Sequence, residues 1–244
     1  MIKIGSLFSG IGGFEIGLER AIANSKTVFQ VEQNSYRRKI LAQNWNCPIF
    51  EDVKEVGAHN LPKVDIICGG FPCQDVSILG KGEGLKGLKS GLWHEMYRII
   101  CEMEPRIAIL ENSAALSIRG LDTILGQFAE IGYDALWISL RAHDFGLPHR
   151  RERLFLVAYS NKNGNRSQNE ICARWKKHNK ILHRKQSYWR GRIAKSRISR
   201  RDHGISNRVD RIKAIGDAIP PVYSEFIGKK IIELGLLKQS KNIK

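Results

Sequence analysis

The sequence has no long apolar stretch and few cysteines. None of its hydrophobic runs approaches the ~20 residues that a membrane-spanning helix needs, and its first residues lack the pattern of a signal peptide. The five cysteines are an odd number, and none has the Cys-x-x-Cys or Cys/His spacing of a zinc site. We therefore expect a cytoplasmic protein with reduced thiols, no membrane contact and no structural metal.

Acidic residues are also scarce. The 244 residues include 24 Asp and Glu against 40 Lys and Arg, a formal net charge of +16. The imbalance is local, because residues 160–213 hold 17 of the basic residues and three of the acidic ones. Such a block suits the phosphate backbone of a nucleic acid, and Trp175, Tyr188 and Trp189 within it suit base stacking. A solvated basic tail would give the same charge pattern, so charge alone leaves both interpretations open.

Strand and helix patterns alternate through the first two thirds of the chain, which predicts a doubly wound α/β sheet. Strands are expected at 3–8, 27–32, just before Asp52, 64–68 and 106–110, and helices at 14–23, 35–45, 92–104 and 121–131. Two further strands, 135–140 and 154–158, are expected to pair antiparallel. The pattern dissolves from Ser160 and returns at Val209, leading into a terminal helix at 223–237. We predict a catalytic core at 1–159, a small basic domain at 160–207, and a C-terminal segment at 208–244 that rejoins the core.

A cysteine follows one of the predicted buried strands on a stiff loop. In Gly69-Gly70-Phe71-Pro72-Cys73 the glycines are expected to let the backbone leave the sheet, and Pro72 to restrict the loop so that the Cys73 thiol is presented. Ligands of open α/β sheets bind beyond the carboxyl ends of the strands. The pattern predicts a nucleophilic Cys73, although a buried core position is the commoner role for an isolated cysteine.

A glycine-rich turn between the first strand and the first helix predicts a nucleotide site. Ser9-Gly10-Ile11-Gly12-Gly13 allows backbone N–H groups to approach a ligand at a helix N-terminus, and Glu32 at the end of the next strand is placed to accept hydrogen bonds from a ribose. The spacing is not that of a dinucleotide loop. An adenosine ligand without phosphates fits better, and S-adenosylmethionine is the commonest of these. A tight turn without a ligand would look similar.

Together these segments resemble the DNA (cytosine-5) methyltransferases, and the likeness spans nearly the whole chain. The segment 7–14 (LFSGIGGF) resembles the family's cofactor motif, and 69–77 (GGFPCQDVS) its nucleophile loop. Glu111-Asn112 stands where the family has a Glu-Asn pair, and 148–153 (PHRRER) matches a motif with two arginines around a glutamate. The closing motif of the family is similar to 214–221 (AIGDAIPP), where Asp217 replaces the usual Asn.

The resemblance implies a Rossmann-like, S-adenosylmethionine-dependent methyltransferase core with a small basic target-recognition domain, of the compact type found in phages and restriction–modification systems. It implies a monomer that acts on double-stranded DNA. The catalytic residues implied are Cys73, Glu111, Arg151, Arg153, Pro72 and Asn112. The cofactor-binding residues implied are Phe8, Ser9, Gly10, Gly12, Gly13, Glu32, Asp52, Val53 and Asp217.

The expected chemistry is addition of the Cys73 thiolate to carbon 6 of a cytosine flipped out of the duplex, with Glu111 at ring nitrogen 3. Two structural interpretations stay open, namely Glu111 as a helix-capping acid and the arginines as a surface charge cluster. Two other functions stay open as well. The same machinery could methylate cytosine in RNA, or the chain could be a catalytically silent DNA-binding module.

Overall fold

Seven strands form a single sheet in the order β3-β2-β1-β4-β5-β7-β6. The structure is a computed structural model that describes residues 1–72, 91–160, 170–175 and 208–237. The strands are β1 (Ile2–Leu7), β2 (Ser25–Val31), β3 (Ile49–Phe50), β4 (Ile66–Gly70), β5 (Ile107–Ser113), β6 (Tyr133–Arg141) and β7 (Glu152–Ser160). β7 runs antiparallel to both of its neighbours, and the other pairs are parallel.

Helices connect the parallel strands and cover the two faces of the sheet. They are α1 (Gly13–Ala21), α2 (Ser35–Asn44), α3 (Leu92–Met103), α4 (Leu116–Arg119), α5 (Leu121–Glu130), α6 (Arg208–Asp217) and α7 (Pro221–Glu233). Residues 170–175 are also helical. The central strands β1, β4 and β5 are mostly buried, since both of their faces are covered. Their buried apolar side chains gather in two clusters, one on each side of the sheet.

The predicted α/β architecture is confirmed, including the antiparallel pairing of the last two strands. One local expectation is wrong. Gly69 and Gly70 do not turn the chain out of the sheet but belong to β4, and neither has a positive φ. A Cβ at Gly69 would lie 2.7 Å from the Leu7 carbonyl oxygen, and one at Gly70 would lie 2.6 Å from Glu111 Oε2. Glycine is needed here for close approach of β1 and of the Glu111 side chain.

The terminal helix expected at 223–237 is present as α7 (Pro221–Glu233), and α6, which was not predicted as a helix, precedes it across residues 218–220. α7 packs against α1, where the Ser224 hydroxyl donates a 2.7 Å hydrogen bond to the Gly13 carbonyl oxygen. The boundaries predicted at 159/160 and 207/208 stay a prediction, because 161–169 and 176–207 lie outside the described residues.

Candidate active site

A cavity of about 690 Å³ opens at the carboxyl edge of the parallel strands. The ends of β1, β2, β4 and β5 all point to this edge. β7 is antiparallel, so its beginning, and not its end, lies at the same edge, with Arg153 opposite Ser113 of β5. This topology brings residues from five distant segments around one cavity, as expected for ligand sites of open α/β sheets.

The Glu111 carboxylate is nearly buried in this cavity and faces Arg153. The Arg153 Nε lies 2.9 Å from Glu111 Oε1, so the two side chains form an ion pair. Burial raises the pKa of Glu111 to about 6, although the nearby charges of Arg153 and Arg151 oppose the rise. Glu111 can thus hold or release a proton near neutral pH beside a positive charge.

The segment that leads to Cys73 is fixed to the end of β5. Asn112 donates a hydrogen bond from its Nδ2 to the Phe71 carbonyl oxygen, at 3.1 Å, and the buried Phe71 ring packs 5.4 Å from that of Trp93. Pro72 is exposed and lines the cavity. Cys73 itself lies outside the described residues.

Arg151 contacts a different element from its neighbour Arg153. Its guanidinium donates hydrogen bonds to the carbonyl oxygens of Gly216 and Asp217, the latter at 3.0 Å, at the C-terminal end of α6. The Tyr223 hydroxyl donates to the Arg151 carbonyl oxygen at 3.1 Å. Arg151 therefore joins the beginning of β7 to the C-terminal segment while it also lines the cavity.

The glycine-rich turn at residues 9–13 forms part of the wall of the cavity. Phe8, Ser9, Gly10 and Gly13 line it, and Phe8 has a φ of 54°, which is unusual for a residue with a side chain. Gly10 also has a positive φ, and no atom lies within 4 Å of where its Cβ would be. Gly12 does not line the cavity, because the ring of Trp45 fills the space beside it.

Glu32 follows β2 and holds the turn in place. Its two carboxylate oxygens accept hydrogen bonds from the backbone N–H groups of Gly10, at 2.8 Å, and Asn34, at 2.9 Å. The side chain lines the cavity beside the open position at Gly10. A carboxylate here can also accept hydrogen bonds from the hydroxyl groups of a sugar.

Three of the predicted cofactor-binding residues, Asp52, Val53 and Asp217, lie outside the glycine-rich turn. The Asp52 carboxylate accepts a hydrogen bond from the Lys54 N–H at 2.9 Å, and Val53 is buried in the core. Neither of them lines the cavity. Asp217 does line it, and its carboxylate pairs with Arg37 at 2.5 Å. Sequence reasoning did not single out Arg37, and no local pattern marks it, since its partner lies 180 residues away.

A comparison with known protein families identifies the family of this chain. The model of the C-5 cytosine-specific DNA methylases matches residues 2–205. The chain belongs to this family. Curated relatives include the type II methyltransferase M.NgoBI of Neisseria gonorrhoeae, 34% identical over 164 residues that make up 66% of this chain and 51% of the relative. M.HhaI of Haemophilus parahaemolyticus is 30% identical over 159 residues, or 64% of this chain and 48% of the relative. The chain spans about half the length of the curated relatives it matches.

Solved structures of methyltransferases share the fold of this chain. A mutant form of DNMT2 from Spodoptera frugiperda superposes with a TM-score of 0.57 at 18% identity, over 69% of this chain and 54% of that one. The methyltransferase EhMeth of Entamoeba histolytica gives a TM-score of 0.56 at 21% identity, over 69% and 56%. This C-5 methylase family member contains no helix in its described part that is long and apolar enough to cross a bilayer. Within the same residues no cluster of potential metal ligands occurs.

Proposed function

We propose that the chain transfers a methyl group from S-adenosylmethionine to carbon 5 of cytosine in double-stranded DNA. The observation that carries this proposal is the Glu111–Arg153 pair, which shares one cavity with the glycine turn, Glu32 and the loop that leads to Cys73. In a partly buried cavity, a carboxyl group that holds a proton can act as a general acid towards a ring nitrogen. A neighbouring cation can stabilise negative charge that develops on the ring.

The cavity fits the cofactor at its Glu32 end. The open space at Gly10 lets a ligand approach the backbone closely, and the Glu32 carboxylate is an acceptor for ribose hydroxyl groups. Phe8, Ser9 and Gly13 complete this wall. Gly12 lets the Trp45 ring pack against the turn. The family resemblance supports a contribution to cofactor binding from Asp52, Val53 and Asp217. S-adenosylmethionine supplies an electrophilic methyl group when it is bound there.

Cys73 and Glu111 are proposed to make carbon 5 reactive. The Cys73 thiolate adds to carbon 6 of the ring while Glu111 donates a proton to nitrogen 3, so that the ring becomes an enamine. Carbon 5 then acquires the methyl group and loses its own proton to a base. The bond to the Cys73 sulfur breaks as the double bond re-forms, nitrogen 3 returns its proton, and the thiolate is regenerated.

The remaining residues hold the base and the loop. Arg153 lies beside Glu111 and can donate to the cytosine oxygen, and Arg151 adds positive charge that favours a thiolate. Asn112 holds the Phe71 carbonyl group, two residues before Cys73, and Pro72 restricts the backbone immediately before Cys73. In a duplex, stacked neighbouring bases cover the face of the ring that the Cys73 thiolate must attack, so the target base must be flipped into the cavity. The basic block at 160–213 is proposed to contact the DNA phosphates.

Transfer of a labelled methyl group tests this proposal. The protein is incubated with labelled S-adenosylmethionine and either duplex DNA or tRNA, with Cys73→Ala in parallel and Cys101→Ser, an exposed cysteine on α3, as the matched control. We expect label at carbon 5 of cytosine in DNA for the wild type and Cys101→Ser, and none for Cys73→Ala. Label in tRNA alone would contradict DNA as the substrate, and full activity of Cys73→Ala would contradict the nucleophile.

A further inference from the structure

Arg37 lies between two carboxylates at the Glu32 end of the cavity. Its guanidinium is 2.5 Å from Asp217 Oδ2 and 4.0 Å from Glu32 Oε1. The Arg37 side chain is only 18% exposed, whereas that of Asp217 is 57% exposed. Arg37 and Asp217 both line the cavity, and they come from two different elements, the first turn of α2 and the last residue of α6.

The position of Arg37 in its own helix argues against a local role. Asn34 caps α2 by accepting a hydrogen bond from the Arg37 N–H, so Arg37 is in the first turn. A positive charge there opposes the helix dipole and is unfavourable for the helix. The favourable interactions of the Arg37 side chain therefore come from the carboxylates around the cavity.

The C-terminal end of α6, where Asp217 lies, is exposed. Ile215 and Asp217 are exposed there, and Ala214 is buried. Two arginines make polar contacts with this end, Arg151 at its last carbonyl oxygens and Arg37 at the Asp217 carboxylate. The Arg37–Asp217 pair therefore joins the end of α6 to α2.

We propose that the Arg37–Asp217 pair is a charged latch that closes α6 over the bound cofactor, with Arg37 as a positioning residue that slows cofactor release. The pair joins two elements that line the cavity next to Glu32, the residue proposed to hold the ribose, so opening of the latch separates these elements beside that site. This inference rests on the proposed function, because it takes the ligand of the cavity to be S-adenosylmethionine or its product.

The dissociation rate of S-adenosylhomocysteine tests the latch. We expect Arg37→Gln and Asp217→Asn each to release this ligand about fivefold faster than the wild type, the upper range for a partly exposed ion pair. The double variant Arg37→Gln/Asp217→Asn should also release it about fivefold faster, because either single change already breaks the ion pair. High salt should accelerate release from the wild type and leave the variants little changed.

A matched control uses the ion pair between Lys229 and Glu225 on α7, at 2.6 Å, which does not line the cavity. Lys229→Gln should release the ligand at the wild-type rate. Asp217 is exposed, so Asp217→Asn should keep the wild-type melting temperature. Unchanged release rates in both latch variants, or rate increases that multiply in the double variant, would overturn the latch and leave the proposed function in place. A wild-type protein that does not bind S-adenosylhomocysteine would overturn the proposed function as well.

Discussion

Asn112 on β5 donates a hydrogen bond from its side-chain amide to the carbonyl oxygen of Phe71, 41 residues earlier in the chain. The Asn112 side chain is almost fully buried, and its own Oδ1 accepts from the Ser113 N–H at 2.7 Å. Phe71 is the second residue before Cys73. The bond therefore fixes the start of the proposed nucleophile loop to the strand that bears Glu111, the proposed proton donor.

Replacing Asn112 by Asp removes the amide donor without changing the size of the side chain. We expect methyl transfer to slow by about 10- to 100-fold, since a buried carbonyl group left without its donor costs about 1–3 kcal/mol. The affinity for S-adenosylhomocysteine should stay within about twofold, because Asn112 is proposed to act on the loop and not on the cofactor. Single-turnover rates and equilibrium binding measure the two effects separately.

Asn60 provides the matched control for this change. Its exposed side-chain amide also donates to a backbone carbonyl oxygen, that of Glu55 at 2.9 Å, but outside the cavity. Asn60→Asp should methylate DNA at the wild-type rate. An equal loss in both variants would show that the Asn112 bond has no special relation to the loop.

The pKa of Glu111 makes stability depend on pH. It is raised from 4.5 to about 6 by burial, so the folded protein holds this proton more tightly than the unfolded chain does. The associated stability is present below pH 4.5 and is lost as the pH rises to about 6, to an extent of about 2 kcal/mol. Urea unfolding of the wild type and of Glu111→Gln across this window should show a loss that is larger in the wild type by about that amount.

Arg153 should have the opposite effect on the same group. Its charge lowers the pKa of Glu111, so Arg153→Gln is expected to raise that pKa further above 6. Carbon-13 NMR of labelled glutamate carboxyl groups, with Glu111→Gln to assign the signal, measures the shift. A pKa of Glu111 that stays the same or falls in Arg153→Gln would contradict the proximity of the two charges.

The packing of the closing segment against the glycine turn depends on Gly13. A Cβ at this position would overlap the carbonyl oxygen of Ile219, which lines the cavity. Gly13→Ala should therefore displace residues 218–220 and weaken cofactor binding by about tenfold or more. Gly126→Ala on the exposed face of α5, where the Cβ meets nothing within 4 Å, should leave binding unchanged and stabilise the helix. Calorimetric titration with S-adenosylhomocysteine compares the two.

Glu15 is a fully buried carboxyl group behind the glycine turn. Its Oε1 accepts a 2.9 Å hydrogen bond from Gln30 Nε2, and its Oε2 has no partner in the described part of the chain. Burial raises its pKa, so ionisation at higher pH costs folding free energy. Glu15→Gln should therefore gain stability relative to the wild type as the pH rises from 4.5. Thermal unfolding over a pH series tests this, and a constant difference would contradict a raised pKa.

Local patterns sufficed to predict the features that depend on neighbours in the chain. The glycine turn follows a strand, Glu32 ends the next strand, and the antiparallel pairing predicted for β6 and β7 brings Arg153 to the edge where β5 ends. Contacts between distant segments were out of reach. The partner of Arg37 is 180 residues away, and Asn112 holds a carbonyl group 41 residues earlier in the chain. Gly69 and Gly70 look like a turn in sequence, but they are glycines because a Cβ would clash with the neighbouring strand β1 at Gly69 and with the Glu111 side chain at Gly70.

Covalent capture of Cys73 by a modified substrate tests the central claim most directly. In duplex DNA with 5-fluorocytosine at the target position, carbon 5 carries a fluorine that cannot leave as a proton does, so the step that frees the cysteine is blocked after methyl transfer. The account predicts a stable protein–DNA adduct that requires S-adenosylmethionine and maps by mass spectrometry to the peptide containing Cys73. Methylation of ordinary cytosine without any such adduct, or an adduct at another residue, would contradict it.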